Sequence, residues 1–132
     1  MIHTIIIGIG SNFESEENVR RAGKTLTGLF HDCVWSPFIR TEPVGICSKP
    51  FLNGLLRATT TLDETEINRL LKETESQLGR SPVDKQNGKV TIDLDLMAFD
   101  GQRRHDRNWL FPFQERLLKA LNNKPNNIIS II

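Results

Sequence analysis

The period of apolar residues changes several times along the chain, and each change predicts an element. Ile2 to Ile9 (IHTIIIGI) is almost wholly apolar and β-branched, which predicts a central strand buried on both faces. Gly10-Ser11-Asn12 breaks it. From Ser15 to Leu29, the residues Val19, Ala22, Leu26 and Leu29 recur at helical spacing. Glu14, Glu16 and Glu17 stand in the first turn of that helix, where acids suit its dipole. Cys33 to Arg40 is a second strand, and Pro37 inside it predicts an edge or a bulge. Thr41 to Pro50 contains Pro43, Gly45 and Pro50 and reads as a loop. Leu52 to Leu62 is a third strand. Asp63 and Glu66 have capping-box spacing at the head of a second helix whose apolar face is Ile67, Leu70, Leu71, Thr74 and Leu78. Gly79 closes that helix as the first residue beyond its end. Ser81 to Gly88 is a polar loop, and Val90 to Phe99 alternates cleanly. Val90, Ile92, Leu94 and Leu96 share one side of this fourth strand; Thr91, Asp93, Asp95 and Met97 share the other. Asp100-Gly101 is a turn signal, Gln114 to Leu121 a short helix stopped by Pro125, and Ile128 to Ile132 an apolar tail.

The order β-α-β-β-α-β predicts an α+β, ferredoxin-like domain with an antiparallel sheet and helices on one face. At 132 residues the chain suits a single domain, 1–132. With 17 Lys plus Arg against 16 Asp plus Glu, no global field steers it to nucleic acid or a membrane surface. No apolar run approaches the roughly 20 residues of a membrane helix, and Met1 to Gly10 has no charged leader region. Cys33 and Cys47 have no metal-binding spacing and read as free thiols. A cytoplasmic protein, monomer or weak dimer, is the expectation.

The most informative residues are Asp93 and Asp95 in Thr91-Ile92-Asp93-Leu94-Asp95. Carboxylates two apart on a strand share a face, with Cα atoms roughly 6.5–7 Å apart. Such like charges need neutralising, either by a hard divalent cation such as Mg²⁺ or by Lys and Arg from a neighbouring strand. Taken alone, Arg40 to Gly45 is a turn and Asn53 a local cap. Arg80, just past the second helix, either holds a phosphate or offsets the helix dipole.

Taken in order, Gly10-Ser11-Asn12, Thr41-Glu42-Pro43-Val44-Gly45, Phe51-Leu52-Asn53, Glu75 ahead of Leu78-Gly79-Arg80, and Thr91 to Asp95 resemble the motifs of the 6-hydroxymethyl-7,8-dihydropterin pyrophosphokinase family. The resemblance spans residues 5 to 99 and implies a folate-pathway reaction: the two terminal phosphates of ATP pass to the hydroxymethyl group of a dihydropterin, and AMP is released. It implies two Mg²⁺ ions held by Asp93 and Asp95, with Arg80 a third catalytic group beside the triphosphate. Thr41, Val44, Phe51 and Asn53 would line the pterin pocket, Phe51 stacking on the ring and Asn53 pairing with its amide edge. Glu75 and Leu96 would sit at the nucleotide, with Lys89 adding charge.

The sequence departs from that pattern in a cluster. Val90 stands where the family has an arginine, Asn87 where some members have a tryptophan, and Pro82 where some have another arginine. Downstream, Pro112 matches a Pro-His segment but Phe113 replaces its histidine, and Asn108 and Leu110 replace an arginine and a threonine. Trp109, Phe111 and Phe113 are candidates for a second stacking aromatic. Lys72, Lys85, Lys89, Arg103, Arg104 and Arg107 could restore charge. These losses imply either a weakened pyrophosphokinase or a non-catalytic paralogue that binds a pterin or nucleotide.

Overall fold

The computed structural model describes residues 1–42 and 49–123. In chain order these form β1 (His3–Ser11), α1 (Ser15–Leu29), β2 (His31–Trp35), β3 (Ile39–Thr41), β4 (Phe51–Thr60), α2 (Glu64–Gln77), α3 (Pro82–Gln86), β5 (Asp93–Phe99), β6 (Gln102–Arg103), α4 (Asp106–Trp109) and α5 (Pro112–Asn122). Six strands make one antiparallel sheet in the order β2-β4-β1-β5-β6, with β3 also pairing with β4. The isoleucine-rich segment is the central strand, between β4 and β5, as a ferredoxin-like βαββαβ chain requires.

Alternation along β1 decides what each sheet face does. Ile5, Ile7 and Ile9 are buried with Val19, Ala22 and Leu26 of α1 and Ile67 and Leu71 of α2. Leu94 and Leu96 of β5 join the same layer. This core removes large aliphatic side chains from water, each worth about 1.5–3 kcal/mol when fully buried. The opposite face carries Ile6, Gly8 and Gly10: Gly10 is buried and Ile6 and Gly8 are half-buried, so the burial expected on both faces of β1 is complete on the helix side and partial on this one. That face is closed in part by a second cluster in which Val34, Leu55 and Met97 meet Trp109, Leu117 and Leu121. Thus α1 and α2 share one face as predicted, while the C-terminal helix covers part of the other.

Local chemistry explains the remaining differences. Pro37 divides the predicted second strand into β2 and β3, which pair with the same side of β4. Ser81-Pro82 starts a helix inside the predicted polar loop: the Ser81 hydroxyl accepts from Asp84 N at 3.1 Å, and proline occupies the first turn. β1 continues through Ser11 instead of breaking at Gly10. The fourth strand begins at Asp93, not Val90, because side chains staple the preceding residues. Asn12 Nδ2 donates to Gly88 O and its Oδ1 accepts from Val90 N, both at 2.7 Å. Ser11 Oγ donates to Thr91 O at 2.7 Å. Asp100 and Gly101 both have positive φ, 50° and 83°, and turn β5 into β6. The last helix begins at Pro112, ahead of the predicted Gln114. Cys33 is a free thiol; Cys47, Val44, Pro125 and the Ile128 to Ile132 tail lie outside the described residues. Among the described residues no helix is long and apolar enough to cross a membrane.

Candidate active site

On the glycine side of the sheet a cavity of about 630 Å³ opens between β1, β4, β5 and the segment leading into α5. Gly8 and Gly10 form part of its floor. The flatness is required: a Cβ on Gly10 would stand 2.8 Å from Asn53 Oδ1. Phe51, Met97, Phe111 and Phe113 supply apolar lining. Phe111 and Phe113 are stacked with ring centres 5.8 Å apart. Asn53 and Thr41 also line it, and Asn53 Nδ2 donates to Thr41 Oγ1 at 2.6 Å. That bond fixes the carboxamide of Asn53 and leaves its oxygen as an acceptor.

Asp93 and Asp95 both line the cavity, as their two-residue spacing predicts. Burial pushes the Asp95 carboxyl up to about 6, with the Asp93 charge adding to the rise and His105 and Lys72 opposing it. Asn108 Nδ2 approaches Asp95 Oδ2 at 3.4 Å.

Arg80 reaches this pair because of how α2 ends. Gly79 takes φ 101°, its N–H bonds to Ser76 O, and the Arg80 N–H bonds to Glu75 O. These are the two bonds of a Schellman turn, and they send the chain back towards β5. Arg80 Nη1 then donates to Asp93 Oδ1 at 2.7 Å, Glu75 Oε2 at 3.0 Å and Ile92 O at 3.3 Å. Burial of the guanidinium opposes its charge, but the hydrogen bond and charge of Asp93 hold its pKa above the ordinary arginine value. Glu75, only 4% exposed, also accepts from Leu94 N at 2.7 Å. It therefore anchors both Arg80 and the start of β5.

The carboxylates suit a hard cation. Two acidic groups face one cavity, and burial beside a like charge raises the pKa of one, a cost that a divalent ion would relieve. No cluster of three or more His, Cys, Asp or Glu suited to a metal occurs among the described residues. An ion held here would draw its remaining ligands from water and substrate, as Mg²⁺ commonly does.

The other expected residues divide. Thr41, Phe51, Asn53 and Arg80 line the cavity. Leu96 is 1% exposed and packs in the helix-side core, so its main chain is what it can offer a nucleotide. Lys89 lines a second cavity of about 200 Å³ with Asn12 and Phe13; its ammonium lies 3.9 Å from the Phe13 ring centre and 3.8 Å from Asp84. Arg103 is engaged by Glu115 and stacks 4.1 Å from Trp109, while Arg104 pairs with Glu64. Lys72 pairs with Glu75. Lys85 lines the main cavity and pairs with no acidic group among the described residues. Trp109 is buried with Nε1 on Met97 O, so Phe111 and Phe113 are the aromatics available to a ring. Sequence reasoning missed His105 beside Asp95 and Gln114 in the cavity wall. The polar break ahead of the last apolar helix was the available signal for that wall.

Fold and cavity together define a ferredoxin-like α+β domain in which paired carboxylates, an arginine and three phenylalanines line one cavity. The chain belongs to the 7,8-dihydro-6-hydroxymethylpterin-pyrophosphokinase family, whose model matches residues 6–123. It is similar to two proteins of Arabidopsis thaliana. The folate synthesis bifunctional protein is 29% identical over 125 residues, covering 83% of this chain and 25% of that protein. The mitochondrial folate synthesis bifunctional protein is 29% identical over 143 residues, covering 92% of this chain and 24% of that protein. The chain thus spans about a quarter of the length of these relatives.

Proposed function

We propose that this chain transfers the two terminal phosphates of ATP to the hydroxymethyl group of 6-hydroxymethyl-7,8-dihydropterin, a step of folate biosynthesis. The observation that carries this reading is the meeting of Asp93, Asp95 and Arg80 with Asn53, Thr41 and three phenylalanines around one cavity. Family membership and the two folate-synthesis relatives support it.

The ring stands between Phe51 on one face and the Phe111–Phe113 stack on the other, with an edge towards the glycine floor. Asn53 fixes one edge of the ring through its free amide oxygen. That places the hydroxymethyl group towards the carboxylates. Asp93 and Asp95 are the residues that would hold Mg²⁺, two ions with ATP, and the metal would supply charge neutralisation of the triphosphate there. The hydroxymethyl oxygen bonds to the β-phosphorus, the bond from phosphorus to the α–β bridging oxygen breaks, and AMP leaves as the hydroxyl proton is released. Arg80 and Lys85 supply positive charge on the phosphate side. Glu75 keeps Arg80 in place. Lys89 and the main chain at Leu96 serve the nucleotide.

Turnover is slow in this reading, because Arg103 and Arg104 are committed to Glu115 and Glu64 and Val90 occupies an arginine position. The same observation favours a second reading, a domain that holds the pterin without reacting it. AMP release from ATP with Mg²⁺, with and without the dihydropterin, separates them. Pterin-dependent AMP that falls on the order of 10²–10³ in Asp95→Ala is expected, the scale of losing one electrostatic contact in a transition state. Pterin binding with no AMP from folded protein would establish the second reading.

A further inference from the structure

Gln114 is a buried amide that the fold leaves without a partner at the cavity wall. It stands in the first turn of α5, one residue after Phe113, and is 8% exposed. Its Oε1 is buried and accepts no hydrogen bond among the described residues. Its side chain lines the same cavity as Asn53, Phe111 and Phe113. Its neighbour Glu115 turns outward to Arg103.

An unpaired buried amide destabilises a fold, and an apolar side chain of the same shape removes that penalty. The other unpartnered buried polar atom among the described residues, Trp35 Nε1, belongs to a residue that lines neither cavity. Gln114 differs because it is a cavity-lining residue, so a turn of its side chain would bring the carboxamide to space that a ligand can fill. The carboxamide carries a donor and an acceptor, and a half-turn of its last torsion exchanges them. It can therefore meet either type of polar atom on a ring. It also enters from α5, whereas Asn53 enters from β4, so the two amides address the ligand from different elements.

We propose that Gln114 is a specificity-determining residue whose carboxamide hydrogen-bonds a second polar edge of the heterocycle that Asn53 holds by the first. The ligand class is a flat, fused-ring heterocycle with hydrogen-bonding atoms on two edges. The inference rests on the pterin reading above.

The test is titration of the full chain with 6-hydroxymethylpterin, in wild type and in Gln114→Met, an unbranched apolar side chain of similar size. Thermal melting of each free protein and the thermal shift given by Mg²⁺ with a non-hydrolysable ATP analogue accompany it. The substitution is expected to weaken pterin binding about tenfold, the scale of one hydrogen bond. Nucleotide binding should hold, and the free protein should melt at an equal or higher temperature. Unchanged pterin affinity would overturn the inference, as would parallel loss of pterin and nucleotide, or a marked fall in melting temperature showing that the amide serves the fold. Wild-type protein that binds no pterin would overturn the pterin reading itself, and this inference with it.

Discussion

The chemistry of the site condenses on Asp95. Its pKa is about 6 in the folded protein against an ordinary 3.8, raised by burial and then by Asp93. A carboxyl whose folded pKa is raised binds its proton more tightly in the native state than in the unfolded chain. The associated stability is fully present below about pH 4 and is lost as pH rises through about 6. In metal-free buffer Asp95→Asn is therefore expected to be more stable than wild type at pH 7, by about 1–3 kcal/mol, and the difference should shrink towards pH 4. Urea unfolding at several pH values with a chelator present reads this directly. A variant less stable than wild type at pH 7 would show that the Asp95 charge is satisfied in the free protein. The same residue that weakens the metal-free fold is the one proposed to hold the cation, the usual relation between site and stability.

At the scale of elements, the site depends on two devices that join the sheet to its flanking segments. One is the Schellman turn after α2, which aims Arg80. The other is the staple from the end of β1 to residues 88–91, in which Asn12, 4% exposed, satisfies Gly88 O and Val90 N with one side chain. Asn12→Ala would leave both main-chain groups buried and unpaired. At about 1–3 kcal/mol for each such group, less what water recovers, the expected cost is about 2–4 kcal/mol with an unchanged denaturant slope. A change below 0.5 kcal/mol would mean that water replaces the staple fully. The two devices were unequally legible. Gly79 after a capped apolar helix announces its turn, because a left-handed residue favours glycine. The Asn12 staple spans 78 residues of sequence, and nothing local to Asn12 reveals it. Ser81-Pro82 followed by Asp84 did carry a cap-and-proline signal for α3, but five helical residues cannot form an apolar period. The alternation of Asp93, Asp95 and Met97 against Leu94 and Leu96 was readable because a half-buried strand has period two. Which face those aspartates would find was not. That depended on Gly8 and Gly10 leaving a floor, and on α5 closing one side of it.

For the whole molecule, the sheet separates a dry core from a working face. The α1–α2 side holds the aliphatic layer that stabilises the domain; the opposite side is only partly closed, by α4 and α5. A ligand in the cavity on that side would touch elements distant in sequence, from Gly8 to Gln114, so its binding should appear as global stabilisation. The charge arrangement also couples the two ligands to each other. Asp93 is already paired with Arg80, and the chain offers two carboxylates to a metal. Mg²⁺ alone should therefore bind weakly and shift the melting temperature little. A nucleoside triphosphate adds oxygen ligands for the ion and meets Arg80 and Lys85, so Mg²⁺ and nucleotide should bind with positive coupling. A ligand present at 100 times its dissociation constant stabilises a fold by about 2.7 kcal/mol, which for a domain of this size corresponds to roughly 5–15 °C. Melting curves with Mg²⁺ alone, a non-hydrolysable ATP analogue alone, and both together should show a joint shift larger than the sum of the separate ones. Strictly additive shifts would place metal and nucleotide at independent sites and remove Asp93 and Asp95 from the triphosphate.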